Sequence, residues 1–179
     1  MTSIRYVMFL RGINVGGHTQ VKMETLRKML EKMGFTNVRT ILNSGNALFD
    51  ASENDQHVLK ERIEKKFTEI FGFASAIMFR TFQEIEELLA ADPFKKITVT
   101  PQTRLYVTFV SEKAKSTLQI PYASAEKDFQ ILRVTDSEVC SVLELSPHRE
   151  TVDLMSFIEK EFGKKVTTRN WNTLLRIAK

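Results

Sequence analysis

Apolar positions are nearly continuous at the start of the chain, where Tyr6, Val7, Met8, Phe9 and Leu10 run between Arg5 and Arg11. A run this short, closed by Gly12, predicts a strand. Tyr6, Met8 and Leu10 fall on one side of it and Val7 and Phe9 on the other, so both faces are expected to be covered. The period then changes. Met23, Leu26, Met29, Leu30 and Met33 recur at helical spacing up to Gly34, with the methionines as core filling. Val38–Leu42 and Ala47–Asp50 predict two strands joined by Asn43-Ser-Gly-Asn46, a turn whose Asn and Gly residues tolerate positive φ. Ser52 to Asp55 reads as a capping box for a helix carrying Val58, Leu59, Ile63, Phe67, Ile70 and Phe71 and ending at Gly72. Ala74–Arg80 predicts a fourth strand.

This order of strand, helix, strand, strand, helix, strand is that of the split βαβ unit, the ferredoxin-like α/β plait. Val7, Phe9, Ile41, Phe49, Ile77 and Phe79 are expected to form a second apolar layer, covered by another domain in preference to a ligand. Phe82–Ala91 predicts a helix whose Glu84, Glu86 and Glu87 make a solvated face, and Asp92-Pro93 ends it. From Leu105 the order returns. Leu105–Val110 predicts a strand, Ser111 the cap of a short helix to about Leu118, and Pro121–Lys127 a loop. Phe129–Val134 and Val139–Leu145 then pair around Asp136 and Ser137. A helix over Val152–Phe162, a short strand over Lys165–Thr167 and a terminal helix with Trp171, Leu174, Leu175 and Ala178 inward complete the chain. The expectation is an α+β protein of two ferredoxin-like domains in tandem, residues 1–92 and 93–179, the second carrying the C-terminal helix.

Composition narrows the class. Of 179 residues, 42% are hydrophobic and 27% charged, as in an ordinary soluble globular protein. No apolar run approaches a membrane span and the first twenty residues show no signal-peptide pattern, so a membrane partner is not expected. Cys140 stands alone, without a disulfide partner or a thiolate metal site, which suits the cytoplasm. The net charge of +4 is uneven. Arg5, Arg11 and Lys22 near the start, and Lys164, Lys165, Arg169, Arg176 and Lys179 near the end, flank a net acidic middle. Two basic ends suggest an anionic partner if they meet in space, and otherwise serve surface solubility.

The candidate chemistry lies in the loop Gly12–Thr19. Gly12, Gly16 and Gly17 permit positive φ and close approach of backbone, and N–H groups before a helix could receive an anion. The spacing matches neither the dinucleotide fingerprint nor the P-loop, and a plain turn needs the same glycines. In a plait the first and third strands are neighbours, so the Asn43–Asn46 turn is expected beside this loop. That gives a candidate ligand set of Arg11, Gly12, Asn14, Gly16, Gly17, His18, Asn43, Ser44 and Asn46, with the Arg11 guanidinium as a fork for carboxylate or phosphate. His18, His57 and His148 lack metal-site spacing, so no metal is expected. A Ser44–His18 pair lacks a positioned acid and an oxyanion site; no catalytic residue or cofactor is assigned, and enzyme activity stays undecided.

Leu10-Arg-Gly-Ile-Asn-Val-Gly-Gly17, Val21-Lys-Met23, Asn43-Ser-Gly-Asn46 and Thr167-Thr-Arg-Asn-Trp171 follow one another as in a bacterial family. On these four motifs the chain resembles the domain of unknown function 1697 family over nearly its whole length. The resemblance implies two ferredoxin-like domains and brings no activity, cofactor or catalytic residue. Three readings stand: a pocket for a small anionic or nucleotide-like ligand, a protein-interaction or regulatory module, and single-stranded RNA binding. The last is the weakest, since Asn46-Ala-Leu-Phe49 occupies the strand where an RNA-binding plait carries its basic-aromatic run. Trp171 reads as a docking anchor rather than a base-stacking platform.

Overall fold

The computed structural model describes residues 3–15, 19–53, 55–111, 116–146 and 152–179. The chain divides into two compact units, Met1–Leu89 with Leu175–Lys179, and Ala90–Leu174. It is a mixed α+β protein with two antiparallel sheets and, among the described residues, five helices.

The first unit contains β1 (Ile4–Leu10), α1 (Met23–Lys32), β2 (Thr36–Ile41), β3 (Asn46–Ala51), α2 (Gln56–Phe71) and β4 (Ile77–Thr81), followed by α3 (Phe82–Ala91). Its sheet order is β2-β3-β1-β4, so the most apolar strand is central. Pairing fixes which residues share a face. Tyr6 stands opposite Phe49 and Met8 opposite Phe79. These side chains, with Leu10, Ala47, Ala51 and Ile77, pack with Leu26, Leu30, Leu59, Ile63 and Phe67 of the two helices. The expected second layer is corrected accordingly. Phe49, Ile77 and Phe79 lie on the helix side, and Leu48 and Met78 take their place beside Val7 and Phe9 on the other face, all buried. An apolar run alternates whichever phase it has; only the partner strand says which half faces the helices.

Three local expectations are also corrected. Asp55, not Ser52, caps α2, its carboxylate accepting from His57 N at 2.8 Å and Val58 N at 3.3 Å. Val58 and Ile70 are exposed, so the buried stripe of α2 narrows to Leu59, Ile63 and Phe67. The fourth strand begins at Ile77 rather than Ala74.

The second unit contains β5 (Thr103–Val110), β6 (Tyr122–Ala123), β7 (Phe129–Val134), β8 (Glu138–Glu144), α4 (Val152–Phe162) and β9 (Val166–Asn170), and α5 (Trp171–Ile177) follows. The sheet order is β6-β7-β8-β5-β9. Apart from the added β6, its strands stand in the same relative order as the first sheet. Leu154 and Ile158 of α4 pack on Val110, Ile131, Val139, Leu143 and Val166. The helix expected after Ser111 falls partly on 112–115, outside the described residues, and 116–118 are not helical. The expected loop Pro121–Lys127 holds the edge strand β6, and the last strand runs on to Asn170. On α5 the buried positions are Trp171, Thr173, Leu174 and Ile177, whereas Leu175 and Ala178 are exposed. Cys140 is fully buried and burial pushes its thiol up to about 12, the behaviour of a packing residue rather than a reactive one.

Candidate functional site

The glycine loop and the hairpin turn meet because β1 and β3 are paired. β1 ends with Leu10 N donating to Gly45 O at 2.8 Å, which carries the ladder into the turn. Gly45 has φ +75°, and a Cβ there would stand 2.6 Å from Ile13 Cδ1 and 2.8 Å from Leu10 Cβ. Glycine is therefore required twice over, for its backbone conformation and for the contact with the loop.

Asn14 is the strut between the two motifs. It holds a left-handed conformation (φ 55°), which Asn tolerates better than most residues. Its Nδ2 donates to Val21 O at 3.0 Å and to Asn43 O at 2.6 Å, and its Oδ1 accepts from Val21 N at 2.8 Å. Its own N–H reaches Thr19 O at 2.9 Å, and Thr19 Oγ1 donates to Gly12 O at 2.7 Å. The loop is thus closed on itself and tied to the turn by one side chain. Asn46 does the same inside the turn. Fully buried, it donates through Nδ2 to Ile41 O and Ser44 Oγ, each at 2.9 Å.

The predicted residues therefore take different places. Asn14, Asn43, Ser44 and Asn46 come together, but both amide hydrogens of Asn14 and of Asn46 are used within the protein. Those two side chains shape the site rather than offering donors to a ligand. Arg11 and Gly12 (φ +66°) lie at the base of the loop, where Arg11 N donates to Ala76 O at 3.0 Å and Ser75 Oγ donates to Arg11 O at 2.9 Å. Gly16, Gly17 and His18 lie outside the described residues.

Beside the strut is an open depression of about 420 Å³ lined by Asn14, Gln20, Val21, Lys22, Met23 and Asn43. It opens at the start of α1. The N-cap position is Lys22, which offers no capping acceptor, and the first intrahelical bond is Leu26 N to Lys22 O at 3.1 Å. The N–H groups of Met23, Glu24 and Thr25 precede that bond, and among the described residues no side chain caps them. Glu24, the acid of this first turn, is turned to Lys28 at 2.8 Å, and its hydrogen bond with Lys28 holds its carboxyl below the usual range. Gln20 and Lys22 were missing from the candidate set. Their signal was present: a lysine where a helix of this pattern would normally carry Ser, Thr, Asp or Asn. Among the described residues no group of three or more His, Cys, Asp or Glu side chains could hold a metal ion. Nor is any described helix long and apolar enough to cross a membrane.

A family model described as Protein of unknown function (DUF1697) matches residues 3–139, which include the loop, the turn and the start of α1. The chain belongs to that family. Among solved structures, a conserved bacterial protein from Streptococcus pneumoniae is 22% identical, with a TM-score of 0.71, over 99% of this chain and 98% of its own. At that identity the likeness speaks for the fold alone. An unknown protein from Galdieria sulphuraria aligns over 94% of this chain and 98% of its own at 16% identity, with a TM-score of 0.29 that carries no argument. No curated protein matches.

Proposed function

We propose that this member of the family is a cytoplasmic binding protein built from two ferredoxin-like domains, residues 1–92 and 93–179. The first takes a small anionic ligand, phosphate-bearing or nucleotide-like, in the depression at the start of α1. The observation that carries this reading is the uncapped helix start opening onto a depression whose wall is braced by Asn14. Unbonded N–H groups and the positive end of the helix dipole favour an anion there. Lys22 adds a full charge and Asn43 a polar group on the lining, with Arg11 and Ser44 in the adjoining loop and turn.

A thermal-shift screen of the full chain against inorganic phosphate, nucleotides and coenzyme fragments tests it. A ligand at a hundred times its Kd adds about 2.7 kcal/mol and raises the melting temperature. Lys22→Ala and Arg11→Ala are each expected to weaken a hit about tenfold or more, the loss of roughly 1.4 kcal/mol or above. No stabilising anion, or binding indifferent to both changes, overturns the reading. A protein-interaction surface is favoured instead by Val15 and Leu42, which are 73% and 42% exposed on the loop and the turn. Under that second reading Val15→Asp with Leu42→Asp abolishes a partner and leaves the anion response unchanged.

A further inference from the structure

The Thr167–Trp171 motif takes no part in the site above, and it borders a second cavity that lies wholly within residues 90–174. β9 pairs with β5 only as far as Asn170, which stands opposite Tyr106. Thr103, Arg104 and Leu105 of β5 run on past the point where β9 turns into α5, so this end of β5 has no β9 partner. The connection from α3 passes over the gap and leaves a notch of about 410 Å³, within the usual range for small-molecule sites.

Its lining carries one cationic and one anionic side chain. Arg104 is oriented by the backbone just before it, Nη1 donating to Pro101 O at 2.8 Å and Thr103 O at 2.9 Å. Its remaining N–H groups carry no bond among the described residues. Asp92 sits in a left-handed conformation (φ 34°) unusual for a residue with a side chain, and its Oδ1 accepts from Phe94 N at 3.1 Å. Among the described residues neither Arg104 nor Asp92 has an ion-pair partner, although both line one notch. Phe94 and Trp171, edge to face at 5.1 Å, and Leu105 supply an apolar wall. Asn170, whose Oδ1 accepts from Asn172 N at 2.9 Å, lies on the same border.

We propose that this notch binds a free α-amino acid with an apolar side chain, Arg104 taking the carboxylate, Asp92 the ammonium group, and the Phe94–Trp171 wall the side chain. One fixed cation and one fixed anion balance a zwitterion, whereas a plain carboxylate would meet Asp92 and a plain amine would meet Arg104. Only three residues of β5 are left beyond β9, so the open edge is short for an extended peptide.

Isothermal titration of the full chain with leucine, isoleucine, valine, methionine and phenylalanine tests this. Each is run beside its N-acetylated form and beside the amine that lacks the carboxylate. Saturable binding of at least one amino acid is expected, weakened tenfold or more in both analogues. Arg104→Gln and Asp92→Asn, each checked for an unchanged melting temperature, are expected to weaken it as much. Should Arg104→Gln not fold, Asp92→Asn decides alone, since its Oδ1 still accepts from Phe94 N. Lys22→Ala leaves this binding unchanged, which separates it from the anion site of the first unit. The proposal is overturned by no saturable binding, by analogues as tight as their parents, by folded variants that bind normally, or by a capped dipeptide that binds more tightly than the free amino acid.

Discussion

In the first sheet, the central tyrosine Tyr6 stands opposite Phe49 on the helix side, and Phe79 completes an aromatic layer with centroids 6.1 to 6.2 Å apart. In the second sheet, the corresponding Tyr106 stands opposite Ser141, and Thr108 and Thr168 occupy the same layer. The threonine hydroxyls bond each other at 2.8 Å, while the buried Ser141 Oγ has no partner among the described residues. The same relative strand order is thus compatible with an aromatic layer in one unit and, in the other, with small hydroxyl residues set among the aliphatic side chains of the core. Strand order is set by pairing and connection length, and the composition of the layer decides how much of the stability comes from side-chain burial.

The largest effect separating the two layers is expected from Phe49→Ala. It removes a ring from a filled aromatic layer and should cost about 3–5 kcal/mol. If the units unfold in separate steps during urea titration, only the transition of the first unit should move; a loss under about 1 kcal/mol would mean the layer is loosely packed. Next comes Gly45→Ala, which puts a Cβ against Ile13 and Leu10 at a positive φ. A loss of roughly 1–3 kcal/mol is expected in the same titration. A neutral result would show that loop and turn are not held together as described.

Ser141→Ala is expected to act in the opposite direction in the second unit. Removing a buried hydroxyl that has no partner should leave stability unchanged or raise it by up to about 1 kcal/mol. Destabilisation beyond about 1 kcal/mol would mean that the hydroxyl is satisfied after all, and that the layer is polar by design. The smallest effect concerns Asp50 near the end of β3. Burial alone would raise its carboxyl, but hydrogen bonds from Asn37 at 2.6 Å and Arg5 at 2.9 Å hold it below the ordinary value. With the folded value depressed, its contribution is full above the unfolded value of about 4 and fades as pH falls through the folded one. The stability advantage of the native chain over Asp50→Asn, about 1 kcal/mol or less at pH 7, should therefore shrink below about pH 4. A difference that does not vary with pH would remove the linkage.

Much of the element order was legible because helices and strands leave different periods. Met23 to Met33, Phe82 to Ala91 and Val152 to Phe162 announced helices, and Phe129–Val134 a strand, with bounds close to those found. Asn43–Asn46 announced its turn through residues that accept positive φ, and the meeting of loop and turn followed from the adjacency of β1 and β3. Other features had no local signal. Capping by Asp55 rather than Ser52 depended on where α2 entered the core, and the exposure of Leu175 on which face of α5 was covered.

Alternation in Tyr6–Leu10 determined that the strand has two apolar faces, whereas the uncapped start of α1 at Lys22 came from the structure. Which of Phe49 or Leu48 faces the helices was decided only by the pairing of β3 with Tyr6 and Val7, because a one-residue shift in register exchanges the two faces without changing the pattern. The notch between Asp92, Arg104 and Asn170 was likewise decided by tertiary structure. It exists because β9 stops short of the end of β5, and a difference in where two paired strands end is a property of the pair, written in neither strand alone.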